Sequence, residues 1–171
     1  MMKTNLHHRR WILPCCIVLC AIVVGAVIWI NWTFRQSIDL SNKTPNQAFH
    51  FIFKMPVPSE VYNVKVAGEA GLSGNMWMRF QTHDINKTIH TFQQNHQLSI
   101  TGPTDQPDGV NGLQSLFDGQ RYATDVGWNK ALAIKKPEYY KFMTTPEGTG
   151  WWGVFIVDRK HNMIYAWGEL L

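Results

Sequence analysis

Apolar and polar positions along the chain fall into three regimes. From Ile12 to Ile30 the sequence reads ILPCCIVLCAIVVGAVIWI, 19 residues without a charge. Residues 33–43 are polar with little periodicity, and from Thr44 onward apolar residues recur at helical or strand spacing between Gly-, Pro- and Asn-rich breaks.

The third regime opens with a marked helix. Thr44 is placed to cap it, Pro45 takes the first helical position, Gln47 completes a capping box, and Pro56 and Pro58 stop it near Met55. Ala48, Phe49, Ile52, Phe53 and Met55 form a stripe that needs a sheet to cover it. Residues 61–70 and 75–82 alternate with period two and predict a hairpin. Tyr62, Val64 and Val66 share one face with Met76, Met78 and Phe80, while Asn63, Lys65 and Glu69 share the other with Trp77, Arg79 and Gln81. A three-residue connection would set Lys65 opposite Arg79, so like-charge repulsion selects a five-residue loop, 71–75. Asp84 caps a second helix carrying Ile85, Ile89 and Phe92. A short strand follows at 98–101, then a turn-rich exposed loop at 102–112. Weaker strand patterns cover 122–128 and 131–134, and Pro137 opens a short helix over 138–143.

The chain closes on GWWGVFIVDRKHNMIYAWG, residues 150–168. With 158–162 as the loop, Val157 faces Met163, Phe155 faces Tyr165 and Gly153 faces Trp167; on the other side Ile156 faces Ile164, Val154 faces Ala166 and Trp152 faces Gly168. Each glycine is then covered by a tryptophan. The aliphatic side (Val154, Ile156, Ile164, Ala166) suits the helices. The aromatic side (Trp151, Phe155, Tyr165, Trp167) needs another cover, supplied by residues 102–129 or by a bound protein, peptide or glycan. Trp77 and Arg79 mark a second candidate groove.

These elements predict an α+β fold: an N-terminal single transmembrane helix, then one domain with a mainly antiparallel sheet and two helices packed on one face. The uncharged run is long enough, at about 1.5 Å per residue, to cross a hydrocarbon core of roughly 30 Å. Trp11, Trp29 and Trp32 lie where the headgroups would be. A cleaved signal peptide is the rival reading; the run exceeds a signal core, and NWTFRQSIDL after it holds no small-x-small cleavage site. The expected division is a cytoplasmic tail (1–10), a transmembrane signal anchor (11–32), a stalk (33–43) and an exported domain (44–171).

Charge sets the orientation. The net charge of +4 suggests a nucleic-acid partner until it is divided by region. Lys3, Arg9 and Arg10 give the tail its excess, whereas residues from Thr33 onward hold 13 basic and 12 acidic side chains. The basic tail keeps the N-terminus in the cytoplasm, and nucleic acid is excluded as a partner. Cys15, Cys16 and Cys20 all fall in the apolar run, so the domain has no thiol for a disulfide, a metal or thiol catalysis.

Other motifs read as structure. His83, His90 and His96 lack metal-ligand spacing, Gly68, Gly71 and Gly74 join two strands instead of leading into a helix, and Asp105, Asp108 and Asn111 lack a distal glutamate for calcium. Asn31, Asn42 and Asn86 begin Asn-x-Ser/Thr triplets, meaningful only in a eukaryotic secretory pathway. The expectation is a membrane-anchored, non-enzymatic accessory or interaction protein of the cell membrane, its domain periplasmic or extracellular. It would contact the bilayer through 11–32 and a protein partner outside, without cofactor or metal. A module binding peptide or glycan on the aromatic face is the alternative, and a hydrolase-type enzyme is third.

Overall fold

The computed structural model describes residues 18–30, 38–71, 74–104, 121–144 and 150–170. The chain divides into two units, residues 1–36 and 37–171. In the first, residues 18–30 form a helix, α1, with exposed apolar side chains. Among the described residues no helix is long and apolar enough to cross a membrane. The expected tail, residues 11–17 of the expected span, and residues 31–37 lie outside the described residues.

The second unit is an α+β domain on one seven-stranded sheet whose pairings are all antiparallel. Its strands are β1 (Ile38–Asp39), β2 (Val61–Ala70), β3 (Gly74–Thr82), β4 (Leu98–Thr104), β5 (Glu138–Thr144), β6 (Trp151–Asp158) and β7 (Met163–Leu170), in the spatial order β1-β2-β3-β7-β6-β5-β4. Helices α2 (Pro45–Phe53) and α3 (Ile85–Gln93) pack on one face. The opposite face carries a short helix, α4 (Arg121–Asp125), and a 3-10 segment (Trp128–Ala133).

The two main helices follow from their caps. Thr44 Oγ1 accepts from the Gln47 amide at 3.3 Å while Gln47 Oε1 accepts from the Thr44 amide at 2.9 Å, the reciprocal capping box. Asp84 Oδ1 accepts from the Lys87 amide at 3.0 Å. Under these helices lies an aromatic core. Phe92 stacks on Phe155 with centroids 5.2 Å apart, and Phe53 meets Phe142 edge-on at 5.4 Å. Each such buried ring contributes roughly 1.5–3 kcal/mol. Two buried hydroxyls, Thr82 and Thr88, bond each other at 2.6 Å, so neither is left unsatisfied there. Glu60 is also buried; burial raises its pKa, but its backbone amide, Ser59, Thr91 and Lys87 outweigh that and hold the carboxyl below its ordinary range.

Several local expectations are corrected. The stretch 138–143, expected as a helix after Pro137, is strand β5, because Tyr140 and Phe142 complete the helix-side core while Tyr139 faces the other layer. Alternation on a sheet buried on both sides outweighs the helix-start signal of one proline. The strand patterns at 122–128 and 131–134 are instead α4 and the 3-10 segment: Ala123, Val126 and Ala131 lie on the sheet at helical spacing, with Gly127 at φ 69 between the two pieces. From Ile38 on, the expected stalk belongs to the fold: β1 pairs with Glu69 and Ala70, and Leu40 is fully buried. Of the loop expected at 102–112, residues 102–104 are instead the end of β4; the rest, with Asp105, Asp108 and Asn111, lies outside the described residues.

Both hairpins differ in loop length. Between β2 and β3 only residues 71–73 intervene, so Lys65 does stand opposite Arg79. The shorter connection keeps Gly74 and Asn75 in the ladder, opposite Leu170 and Glu169. Repulsion at an exposed lysine costs only a fraction of a kcal/mol and does not outweigh that pairing. Between β6 and β7 the loop is 159–162, four residues rather than five, because Asp158 pairs with Met163 inside the ladder. Asp158 organises this turn: its main-chain oxygen and Oδ1 accept from the His161 amide, both at 3.3 Å, and Asn162 takes the left-handed conformation at φ 51.

Candidate functional site

Loop parity in the closing hairpin redistributes the candidate aromatic face. A slip of one residue moves a strand's side chains relative to its partner's faces. Phe155 is opposite Ala166, Ile156 opposite Tyr165 and Val154 opposite Trp167, so the four aromatics do not share a side. Trp151 and Phe155 join Ile164 and Ala166 under α2 and α3. Tyr165 and Trp167 join Val154 and Ile156 beneath α4 and the 3-10 segment. Gly153 and Gly168 face each other instead of lying under tryptophans. An added Cβ at Gly153 would be 2.7 Å from the Phe142 ring and 2.0 Å from the Trp167 carbonyl oxygen. The Phe142 ring thus occupies the space these two glycines leave.

Neither half of the aromatic set is a surface. Trp151, Phe155 and Tyr165 are at most 3% exposed and Trp167 is 7% exposed. The cover over Tyr165 and Trp167 comes in part from within the segment expected to supply it, residues 102–129, but the described cover starts at Arg121 and continues to Ile134. Its anchor is Trp128, fully buried, whose Nε1 donates to the Ala166 carbonyl at 3.1 Å and whose ring meets Tyr165 edge-on at 6.2 Å. Ala, Val and Trp at helical spacing in 123–131 were the signal that sequence reasoning missed.

Trp77 and Arg79, the other candidate pair, lie on this same face of β3. Trp77 is 2% exposed and stacks on Tyr122, whose hydroxyl donates to Glu69. That bond raises the pKa of the Tyr122 phenol, so it is protonated at neutral pH. The Arg79 guanidinium lies against Gly127: a Cβ there would stand 2.8 Å from Nη1, and the left-handed φ of Gly127 disfavours a side chain as well. Among the described residues, Trp77 Nε1 and Arg79 Nε are buried without an acceptor. A ligand stacking on Trp77 would have to displace α4. Tyr165, further along the layer, has its pKa raised, chiefly by burial, with Arg79 opposing and Asp158 reinforcing the shift.

Several other polar side chains stack or bond within the domain. His83 stacks on Tyr62 at 4.4 Å, and His90 Nε2 bonds Gln94 at 2.9 Å. Glu138 receives both Arg159 Nε and, at 2.8 Å, Arg159 Nη2, while Nη1 donates to Asn86 at 2.9 Å, tying the β6–β7 turn to β5 and α3. Among the described residues no group of three or more His, Cys, Asp or Glu is close enough to hold a metal ion.

A groove with distinct walls lies on the domain surface. It has a volume of about 300 Å³ and runs along the outer edge of β2 at Val64–Ala67, with Ser41, Lys43 and Pro45 on one side and the end of α4 on the other. No protein-family model matches the chain, and neither a curated protein nor a solved structure is similar enough to count as a match.

Proposed function

We propose that this is a single-pass, membrane-anchored accessory protein that holds its α+β domain outside the membrane to contact a protein partner. One observation carries the anchor: the apolar side chains of α1 are bare, Leu19, Ile22 and Trp29 being 66%, 64% and 67% exposed. An uncharged helix apolar all round calls for a non-aqueous surrounding. Residues 12–17 continue that run to 19 uncharged positions, and Lys3, Arg9 and Arg10 favour a cytoplasmic N-terminus. The accessory role is supported by the two covered sheet faces, which leave the domain's rim and edges as its contact surface. In this reading the protein is non-enzymatic and uses no cofactor.

Fusing the full chain at its C-terminus to alkaline phosphatase, active only outside the membrane, or to green fluorescent protein, fluorescent when folded inside, tests the topology. Phosphatase activity with resistance to carbonate extraction is expected. Fluorescence with the protein in the carbonate supernatant would overturn the proposal.

A further inference from the structure

The end of the sheet at which the chain enters the domain is divided by charge. Ile38 pairs with Ala70, Gly74 with Leu170, and Leu170 with Trp151, so these residues form one row across that end. α2 reaches the row on the helix side, where Phe51 meets Trp151 edge-on at 6.3 Å. The Phe51 ring is half-buried and has two ammonium groups over it, Lys43 Nζ at 5.3 Å and Lys54 Nζ at 5.6 Å. Among the described residues neither lysine has a carboxylate within ion-pair distance. Ile38 is cross-strand from the buried Ala70, hence on the same side, and is 42% exposed.

The acids of this end belong to the other side of the sheet. Glu69 accepts from Tyr122 of α4, and Glu169 stands cross-strand from Trp152, which packs with the α4-side cluster. Asp39, cross-strand from Glu69, is occupied by the Ser41 amide at 2.8 Å and the Asn42 side chain at 2.9 Å. The α2 side is thus left with two lysines gathered on one aromatic ring and an exposed isoleucine. Side chains of these kinds settle together at a lipid headgroup layer, where apolar groups reach the acyl boundary and ammonium groups stay with the phosphates.

Chain length brings such a layer to this end. Only residues 31–37 separate α1 from Ile38. At no more than roughly 3.6 Å per residue, the eight steps from Ile30 to Ile38 span at most about 29 Å. A tether this short keeps the bilayer at high effective concentration, so a contact of few residues is enough to hold the domain. We infer that the α2 side of this end rests on the bilayer that α1 crosses, with Lys43 and Lys54 on the phosphates of anionic phospholipids and Phe51 and Ile38 at the acyl boundary. The inference deepens the anchored reading above and rests on it: the domain keeps one face toward the membrane instead of swivelling freely.

The test uses the full chain, isotopically labelled for NMR, in nanodiscs of phosphatidylcholine alone or mixed with phosphatidylglycerol. A gadolinium chelate carried on a lipid headgroup broadens amide signals near the surface. In the mixed discs, residues 50–54 should broaden more than Glu69 and Glu169, which lie at the same end on the other side. A tether without docking would broaden both sides alike. Each lysine beside an anionic surface is worth about fivefold in the docked population, so Lys43→Gln/Lys54→Gln should lower the docked-to-free ratio about 25-fold and equalise the two sides. Phosphatidylcholine alone should do the same to the wild type. Neither lysine is buried, so the double variant should melt with the wild type. Lys135→Gln/Lys136→Gln, which removes the same charge just before β5 at the other end of the sheet, should leave the pattern unchanged. Equal broadening of both sides in the mixed discs, a pattern indifferent to lipid charge, or a loss shared by Lys135→Gln/Lys136→Gln would each overturn the inference. Any of these with phosphatase still active outside would leave the anchored accessory protein standing. A chain that stays in the carbonate supernatant and never co-purifies with the nanodiscs would remove the anchor, and the docking with it.

Discussion

Truncating Trp128 tests whether the second face of the sheet is held closed by the chain itself. The side chain is fully buried, bonds the Ala166 carbonyl at 3.1 Å, and sits edge-on to Tyr165. Replacing a buried tryptophan by alanine costs about 3–5 kcal/mol. About 1 kcal/mol of that is the hydrogen bond. Trp128→Phe keeps most of the packing and loses the donor, so it should cost about 1–2 kcal/mol. For a domain of this size the alanine variant should melt on the order of 10–20 °C lower and the phenylalanine variant about 4–8 °C lower. Circular dichroism melts of the full chain in detergent give the midpoints. Acrylamide quenching of the remaining tryptophans reports on the cover, since Trp77 and Trp167 lie beneath it and should become accessible in Trp128→Ala. If Trp128→Ala melts within about 2 °C of wild type and quenching does not change, α4 and the 3-10 segment do not seal this face and the reasoning fails.

Three further outcomes follow from particular contacts. Gly153→Ala places its Cβ 2.0 Å from a backbone carbonyl and should cost about 3 kcal/mol or more, whereas Gly168→Ala meets the mobile end of Met76 at 3.0 Å and should cost about 1 kcal/mol; equal urea midpoints would contradict the packing described. Thr44→Ala should lose about 1 kcal/mol by urea denaturation and Thr44→Ser far less, because only the capping hydroxyl separates them. Arg159 holds the Glu138 carboxyl below its ordinary range, against burial, which raises it. A depressed folded pKa gives stability that is present above the unfolded value and is lost as pH falls through the folded one. Acid melts should therefore show stability falling below about pH 4.5, with a shallower slope in Glu138→Gln and a remaining contribution from Glu60; an unchanged slope would show that the Arg159 contact is not formed in solution.

Signals that act over a few residues were legible without coordinates. The capping box at Thr44, the Asp84 cap and the alternation of residues 61–70 and 75–82 depend on neighbours within a turn or along one strand, and each produces its element wherever the chain then packs. The aromatic density of residues 150–168 likewise announced a hairpin apolar on both faces. The candidate site was legible only as a set of residues. Which of them share a side depends on whether the loop holds four residues or five, and that was decided by Asp158 remaining in the ladder and by Asn162 adopting φ 51.

By itself the sequence determined that a long uncharged run precedes one cysteine-free α+β domain, because charge, apolar length and period are properties of the chain alone. Tertiary structure decided the rest. Residues 121–133 became helical because a sheet face of Trp77, Tyr165 and Trp167 needed Ala123, Val126 and Trp128 on one side, and 138–144 became a strand because β6 needed a neighbour. Both choices are made by long-range burial, which exceeds the weak local preference of a short segment.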